Sequence, residues 1–398
     1  MARKIGKKRY IENNVWEETL ERWRTIYDYF DEVVVSFSGG KDSTAVLNSA
    51  LVVARERNAL PLKVIFCDEE AIHPPTIEYV RRVAESPEID MQWYCLEFKH
   101  RNACSNTEPF WYTWEKEKAD KWVAPMPPEG ITEHPTFEKG MSFQEWCPTL
   151  FPRDGKRTAI CTGIRTQESL RRYRIIASKT VEPYMNYHPH ENTNAYFCQP
   201  VYDWSSEDVW LAVHKFGWDY NKTYDVFNQT RFHGNFLGQR VCPPYGEEPL
   251  RGLWIYSECF PEMWHKMLER VSGVSTAWRY ANTHLYSNGN VKPENMTYRE
   301  YANIVLDSYG EPYKTQVKQQ INRNINSHRV KTNDPISDEI PHPITGMCWK
   351  HFCSIATRGD FKDRQRSKTE NLAEQTRDKL GITLNQAISR YGKKRKKR

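Results

Sequence analysis

The chain has 398 residues, enough to bury a substantial core and to form two or three domains. No stretch approaches 18 uninterrupted apolar residues, which excludes a membrane-spanning helix, and the N-terminus MARKIGKKRYIENN lacks the apolar core of a secretory signal, so a cytoplasmic protein with ten reduced cysteines is expected. The formal charge of +6 is concentrated at the ends: residues 1–9 carry five basic side chains and residues 393–398 carry six, tails that would attract nucleic acid by counterion release or serve as solvated arms.

In chain order, Trp16, Leu20, Trp23, Ile26, Tyr27 and Phe30 recur at helical spacing and predict a helix covering a sheet. A strand at Val33–Phe37 runs into Ser38-Gly39-Gly40-Lys41-Asp42-Ser43 and then a helical stretch. A second strand at Leu62–Cys67, a helix from about Pro75 to Glu85 opened by proline, and a third strand at Met91–Leu96 complete the alternation. The pattern predicts an α/β fold with a doubly wound, mostly parallel sheet. Between residues 100 and 155 the periodicity gives way to Trp, Pro and charge, read as an insertion over the carboxyl ends of the strands. Strand character resumes at Thr158, and a helix is expected near Gly163. Helices at Phe260–Val271, Tyr298–Tyr309 and Tyr313–Ser327 predict a mainly helical second domain. The expected plan is a basic arm (1–14), a nucleotide-binding domain (15–215), a helical domain (216–392) and a basic tail (393–398).

The loop Ser38–Ser43 is the main chemical signal. Paired glycines let backbone N–H groups converge, the following helix adds its positive N-terminal end, and Lys41 adds charge, all of which suit a phosphate group. The ordinary phosphate loop needs glycine where Val35 stands, and Asp42 follows the lysine, so that reading fails. The segment SFSGGKDS instead resembles the PP-loop of ATP pyrophosphatases, a resemblance that implies a site for the β,γ-pyrophosphate of ATP and chemistry at its α-phosphate. A ligand-free strand-to-helix turn is the plain alternative.

Asp68 and Glu69 follow the second strand, where carboxylates would bind ribose hydroxyls or hold Mg²⁺; an acidic first turn stabilising the next helix is the alternative. Asp42 is the second candidate Mg²⁺ ligand. In Cys161-Thr162-Gly163-Ile164-Arg165-Thr166-Gln167-Glu168-Ser169, Gly163 and Arg165 would open a helix facing an anion, and Arg165 would contact phosphate or sulfate, with Glu168 and Arg172 as an i, i+4 pair. In Gln199-Pro200-Val201-Tyr202-Asp203-Trp204-Ser205, the serine would cap a helix packed through Trp204 and Trp210. With the loop, these segments resemble the PAPS reductase and sulfate adenylyltransferase small-subunit family over residues 15–215. The stretch from Gly238 to Gly273 looks like the extension of a phage and bacterial branch resembling immunoglobulin-binding regulator A, which implies a ParB-like partner.

The sequence departs from that family at the reductase cysteine. No Glu-Cys-Gly-Leu-His segment is present, nor the Cys-Cys and Cys-x-x-Cys pairs of iron–sulfur relatives. Cys147, Cys161, Cys242 and Cys259 leave a route to an iron–sulfur cluster that the spacing disfavours, and Cys348 and Cys353 read as core thiols and His351 as a surface histidine before the three read as zinc ligands. The expected function is binding of ATP, or a related adenine nucleotide, with cleavage to AMP and pyrophosphate that adenylylates or activates an acceptor. Lys41, Arg165 and Asp68 would carry the chemistry. The alternatives are a phosphoadenylyl-sulfate reductase and a non-catalytic nucleotide sensor with a DNA-associated partner.

Overall fold

The computed structural model describes residues 11–153, 155–177, 182–230, 241, 244–245, 253–280, 292–359 and 366–393. The tail from Lys394, most of the N-terminal arm and Cys242 lie outside them. No helix among the described residues is long and apolar enough to cross a membrane. The chain divides into two compact units, one of residues 1–100, 112–244 and 255–270, the other of 101–111, 245–254 and 271–398.

The first unit is built on a five-stranded parallel sheet, β1 (Glu32–Phe37), β2 (Leu62–Cys67), β3 (Ile89–Tyr94), β6 (Thr158–Cys161) and β7 (Ala195–Cys198), in the order β3-β2-β1-β6-β7. Two short strands, β4 (Lys99–Arg101) and β5 (Phe110–Tyr112), pair separately. The order reverses beside β1, so the carboxyl ends of β1 and β6 open a crevice at the switch point, the usual ligand position in open α/β sheets. One face of the sheet presents Val33, Val35, Phe37, Val64, Phe66 and Cys161 to α1 (Val15–Tyr29), α2 (Lys41–Glu56), α3 (Pro74–Ala84) and α6 (Ser206–Phe216). β-Branched and aromatic residues buried on both faces are what a parallel strand requires.

The other face, with Val34, Ile65 and Ile160, is covered by the insertion, which supplies Trp146, Cys147, Ile131, Phe137 and Phe143. Residues 100–155 therefore cover this face as well as the carboxyl end of β2, where Trp114 and Val123 donate to Glu70 and the Trp114 indole donates to Asp68 O. Their apolar residues lack a helical period because they form a packed layer of turns, and Ile131 pairs directly with Trp93 and Cys95 (2.7 and 2.9 Å).

The segment with Asp203 and Trp204 is structural, as its composition suggests. Arg22 of α1 makes two bonds to Asp203 (2.7 and 2.6 Å), the Trp204 indole donates to Thr19 (2.8 Å), and Ser205 caps α6 in a capping box with Asp208. The buried Trp204 indole is thus hydrogen-bonded as well as packed, which fixes α1 against the start of α6.

In the second unit, helices Tyr298–Asp307, Tyr313–Lys331 and Trp349–Arg358 share a core of Tyr298, Leu306, Val317, Ile321, Met347 and Phe352. Cys348 and Cys353 are buried in or beside this core. Among the described residues no group of three or more His, Cys, Asp or Glu is placed to hold a metal ion. Cys147 and Cys161 lie in the cores on opposite faces of the sheet.

Candidate functional site

After β1 the chain turns at Gly39, whose φ of +68° a side-chain-bearing residue adopts only with strain, and a Cβ there would stand 2.9 Å from Thr76 Cγ2. Gly40 is the N-cap of α2 and brings no side-chain oxygen to it, leaving the helix entrance to other acceptors. The turn is locked from within: Ser43 Oγ donates to Gly40 O (2.9 Å) and receives the Ser38 N–H (3.2 Å), while Ser38 Oγ lies 3.1 Å away. Lys41 is buried at 6 % exposure, with its Nζ 3.5 Å from Asp42 Oδ2.

Three elements distant in sequence hold this turn. From β6, Gly163 packs directly on the loop backbone, where a Cβ would meet Asp42 C at 2.8 Å and Ser43 N at 2.9 Å. Arg165 follows at 2 % exposure and donates from Nε to Asp42 Oδ1 (2.8 Å), from Nη1 to Trp204 O (3.0 Å) and Gln167 Oε1 (3.3 Å), and from Nη2 to Ser206 Oγ (3.3 Å). Asn221 Nδ2 donates to Gly39 O (2.8 Å) and Thr76 Oγ1 (2.8 Å). Tyr224, on α7 (Thr223–Asn228), accepts the Lys41 N–H through its hydroxyl (3.0 Å) and is backed edge-on by Trp210 at 5.1 Å.

Two expectations change here. Gly163 and Arg165 do not open a helix: the chain is extended at Arg165, makes a 3₁₀ turn at Thr166–Glu168, and becomes α-helical only over Leu170–Ala177 (α5). The reason is the close approach of Gly163 to the loop and the inward pull of Asp42 on Arg165, which occupy this backbone before a helix starts. Glu168 and Arg172 do form their ion pair.

Asp68 also differs. Its side chain is buried, with Oδ1 accepting from Glu70 N (2.9 Å) and Oδ2 from the Trp93 indole (3.1 Å), so it faces the protein and not the crevice. Both Asp42 oxygens face cations, Arg165 and Lys41. Each oxygen of these two carboxylates thus already has a protein donor or cation beside it. Glu69 is half-buried, 3.8 Å from His100.

Burial pushes the Asp68 carboxyl up to about 7. A folded-state value above that of an unfolded chain means the native protein holds the extra proton between about pH 4 and 7, so this group's contribution to stability declines as pH rises through that window. Asp68→Asn is expected to remove the decline: its urea midpoint, taken relative to the unsubstituted protein, should climb from pH 4 to 7. A difference that does not vary with pH would contradict burial as the cause.

Beyond Asp68, Glu70 is held at φ +62° and is almost fully buried. Its carboxylate takes both arms of Arg270 (2.8 and 3.1 Å) and the N–H groups of Trp114 (2.7 Å) and Val123 (3.1 Å), while Arg270 also donates to Tyr112 O (2.6 Å). This network pins the end of β2 to the insertion and to helix Pro261–Arg270.

Residues 32–229 match the phosphoadenosine phosphosulfate reductase domain, and residues 235–356 match a domain of unknown function, DUF3440. The chain is 28% identical over 376 residues to the uncharacterized protein YbdN of Escherichia coli (strain K12), an alignment spanning 87% of this chain and 89% of that one. Among solved structures, a phosphate complex of phosphoadenylyl-sulfate reductase from Candida auris is similar at 16% identity and a TM-score of 0.32, covering 56% of this chain and 94% of that one. The FMN adenylyltransferase of Candida glabrata, in complex with FMN and the ATP analog AMPCPP, is similar at 12% identity and a TM-score of 0.33, covering 55% and 64%.

Proposed function

We propose that the first unit binds ATP with its β,γ-pyrophosphate in the Ser38–Ser43 turn and cleaves it beside the α-phosphate, releasing pyrophosphate and transferring or activating with AMP. The observation that carries this reading is the cradle itself: a glycine-built turn at the switch point, an α2 N-terminus whose N-cap residue Gly40 brings no side-chain acceptor, and a buried lysine beside it. The match of residues 32–229 to the phosphoadenosine phosphosulfate reductase domain supports an adenine nucleotide as the ligand class. Lys41 would neutralise the leaving pyrophosphate; Arg165 would act through Asp42, holding the loop in register; Gly39, Gly40 and Gly163 would keep its backbone close-packed. Catalysis would rest on positioning and preorganised charge, as in other phosphoryl-type transfers.

Tyr224 enters this reading as an occupant of the cradle. Its hydroxyl takes the Lys41 N–H that an anion would take, so an incoming phosphate oxygen replaces it. Tyr224→Phe leaves that buried N–H without its acceptor, which costs about 1–3 kcal/mol before the anion arrives. The variant is expected to melt lower and to bind inorganic pyrophosphate roughly ten-fold more tightly by calorimetry, about 1.4 kcal/mol. Weaker binding by the variant would show that the hydroxyl serves the anion directly.

Reduction of phosphoadenylyl sulfate is the second reading, favoured by the same domain match. Cys348 and Cys353, the nearest counterparts of a reductase cysteine, are buried, and burial raises both thiols, Cys353 to about 11, which disfavours an attacking thiolate. Incubation with phosphoadenylyl sulfate and a dithiol reductant separates the two: sulfite release would replace the adenylyl-transfer reading, and its absence together with pyrophosphate release from ATP supports it.

A further inference from the structure

Helix Tyr313–Lys331 of the second unit reads YKTQVKQQINRNINSHRVK and contains no Asp or Glu in 19 residues. Its inner side buries Val317, Ile321, Asn324 and His328. The opposite side is exposed and presents Lys318, Gln319, Asn322, Arg323, Asn326 and Arg329, spaced to fall along one face. Lys314 is paired with Asp307 at 2.8 Å, but Lys318, Arg323 and Arg329 have no ion-pair partner among the described residues. A solvated surface helix ordinarily alternates charge sign, because i, i+4 pairs support it and like charges oppose it. This one keeps cations and carboxamides and omits carboxylates.

Two further observations point the same way. Residues 271–398 carry 23 Lys and Arg against 12 Asp and Glu, whereas residues 1–270 carry 34 against 39, so the positive excess belongs to this part of the chain. Lys393 donates to Lys331 O (2.9 Å) and through Nζ to Arg329 O (3.1 Å), and Thr332 donates to Tyr391 O (2.5 Å). Lys393, the first residue of the basic run 393–398, therefore lies against the C-terminal end of this same helix.

We infer that the exposed face of Tyr313–Lys331 is a docking surface for duplex DNA. A helix of 19 residues is about 28 Å long, and its width suits the major groove of B-form DNA, roughly 12 Å across, whereas the deep, narrow major groove of duplex RNA excludes it. Lys and Arg at 318, 323 and 329 pair with phosphates or guanine, and Asn and Gln at 319, 322 and 326 carry the donor–acceptor pair that matches adenine. The surface lies wholly in the second unit and does not depend on the nucleotide reading of the first.

The test is fluorescence anisotropy of the full chain with a labelled 20-base-pair duplex across 50–200 mM salt. The protein should bind with an affinity that falls steeply with salt. The combined variant Lys318→Gln/Arg323→Gln/Arg329→Gln, whose positions are exposed and whose folding is checked by its melting curve, should weaken binding at least ten-fold and reduce the salt slope by about two to three. A second variant truncated before Lys393 should lose affinity but keep dependence on the helix face. Unchanged binding by the triple variant would overturn the proposal, as would loss in the truncated protein alone or stronger binding of single-stranded RNA of equal length.

Discussion

Lys41→Ala is expected to lower ATP-dependent pyrophosphate release by about 100-fold or more while leaving the melting temperature nearly unchanged. The lysine is buried beside the turn that would receive the phosphates, its ammonium 3.5 Å from Asp42 Oδ2 and 5.9 Å from the centre of the Tyr224 ring. A cation in so protected a place acts in a low effective dielectric, where its effect on developing negative charge is several times that in water. The turn is expected to survive the change, because its shape is also held by bonds through Ser38, Ser43, Gly40, Asn221 and Tyr224 that the alanine keeps. Activity loss without unfolding is the distinguishing result. A variant that releases pyrophosphate at the original rate would remove Lys41 from the mechanism, and one that unfolds would make it structural.

The largest effect on stability is expected at Arg270. Replacing it by Met leaves the Glu70 carboxylate buried with two backbone donors and no cation, and breaking a buried pair from one side costs about 3–5 kcal/mol. The double variant Glu70→Gln/Arg270→Met removes the charge as well as its partner and should recover much of that loss, since neutral groups of similar shape replace a desolvated pair at little cost. Urea unfolding followed by tryptophan fluorescence reads both, and a double variant as unstable as Arg270→Met alone would show that packing of the guanidinium, not the charge pair, is what matters. The same substitution should loosen the turn at Glu70, because its φ of +62° is strained and is held by these bonds.

The parts of the site that lie close together in sequence were legible there. β1, the hexapeptide and α2 follow one another, and their order of apolar run, paired glycines and helix has one physical meaning. That Gly163 and Arg165 pack on the loop is not legible, since a free guanidinium and one locked on Asp42 have the same sequence. Tyr224 and Asn221 escaped entirely. They reach the loop across more than 180 residues, and NKTYD carries no periodicity or motif to mark it. A boundary at residue 216 would have placed them in a separate helical domain, whereas they pack in the first unit against the loop. That the insertion also covers a sheet face is hidden for a related reason: its apolar residues serve that face through turns, and turns leave no period to detect.

The burial of Asp68 is hidden from the sequence for a different reason. An acidic residue at the end of a strand beside a glycine-rich turn is the place to expect a ligand, and chain position alone does not report which way a side chain turns. Trp93 and Trp114 decide it: both indoles donate to Asp68, one to its carboxylate and the other to its carbonyl, and draw it inward. Only cross-strand and long-range contacts contain that information.

The central claim is that a nucleotide in the Ser38–Ser43 turn is cleaved beside its α-phosphate. Purified protein incubated with Mg²⁺ and ATP labelled separately at the α- and γ-phosphates tests it most directly, with products resolved by chromatography. Label from the α-position is expected in AMP or an adenylylated acceptor and label from the γ-position in pyrophosphate, both lost with Lys41→Ala. Formation of ADP and inorganic phosphate would contradict it.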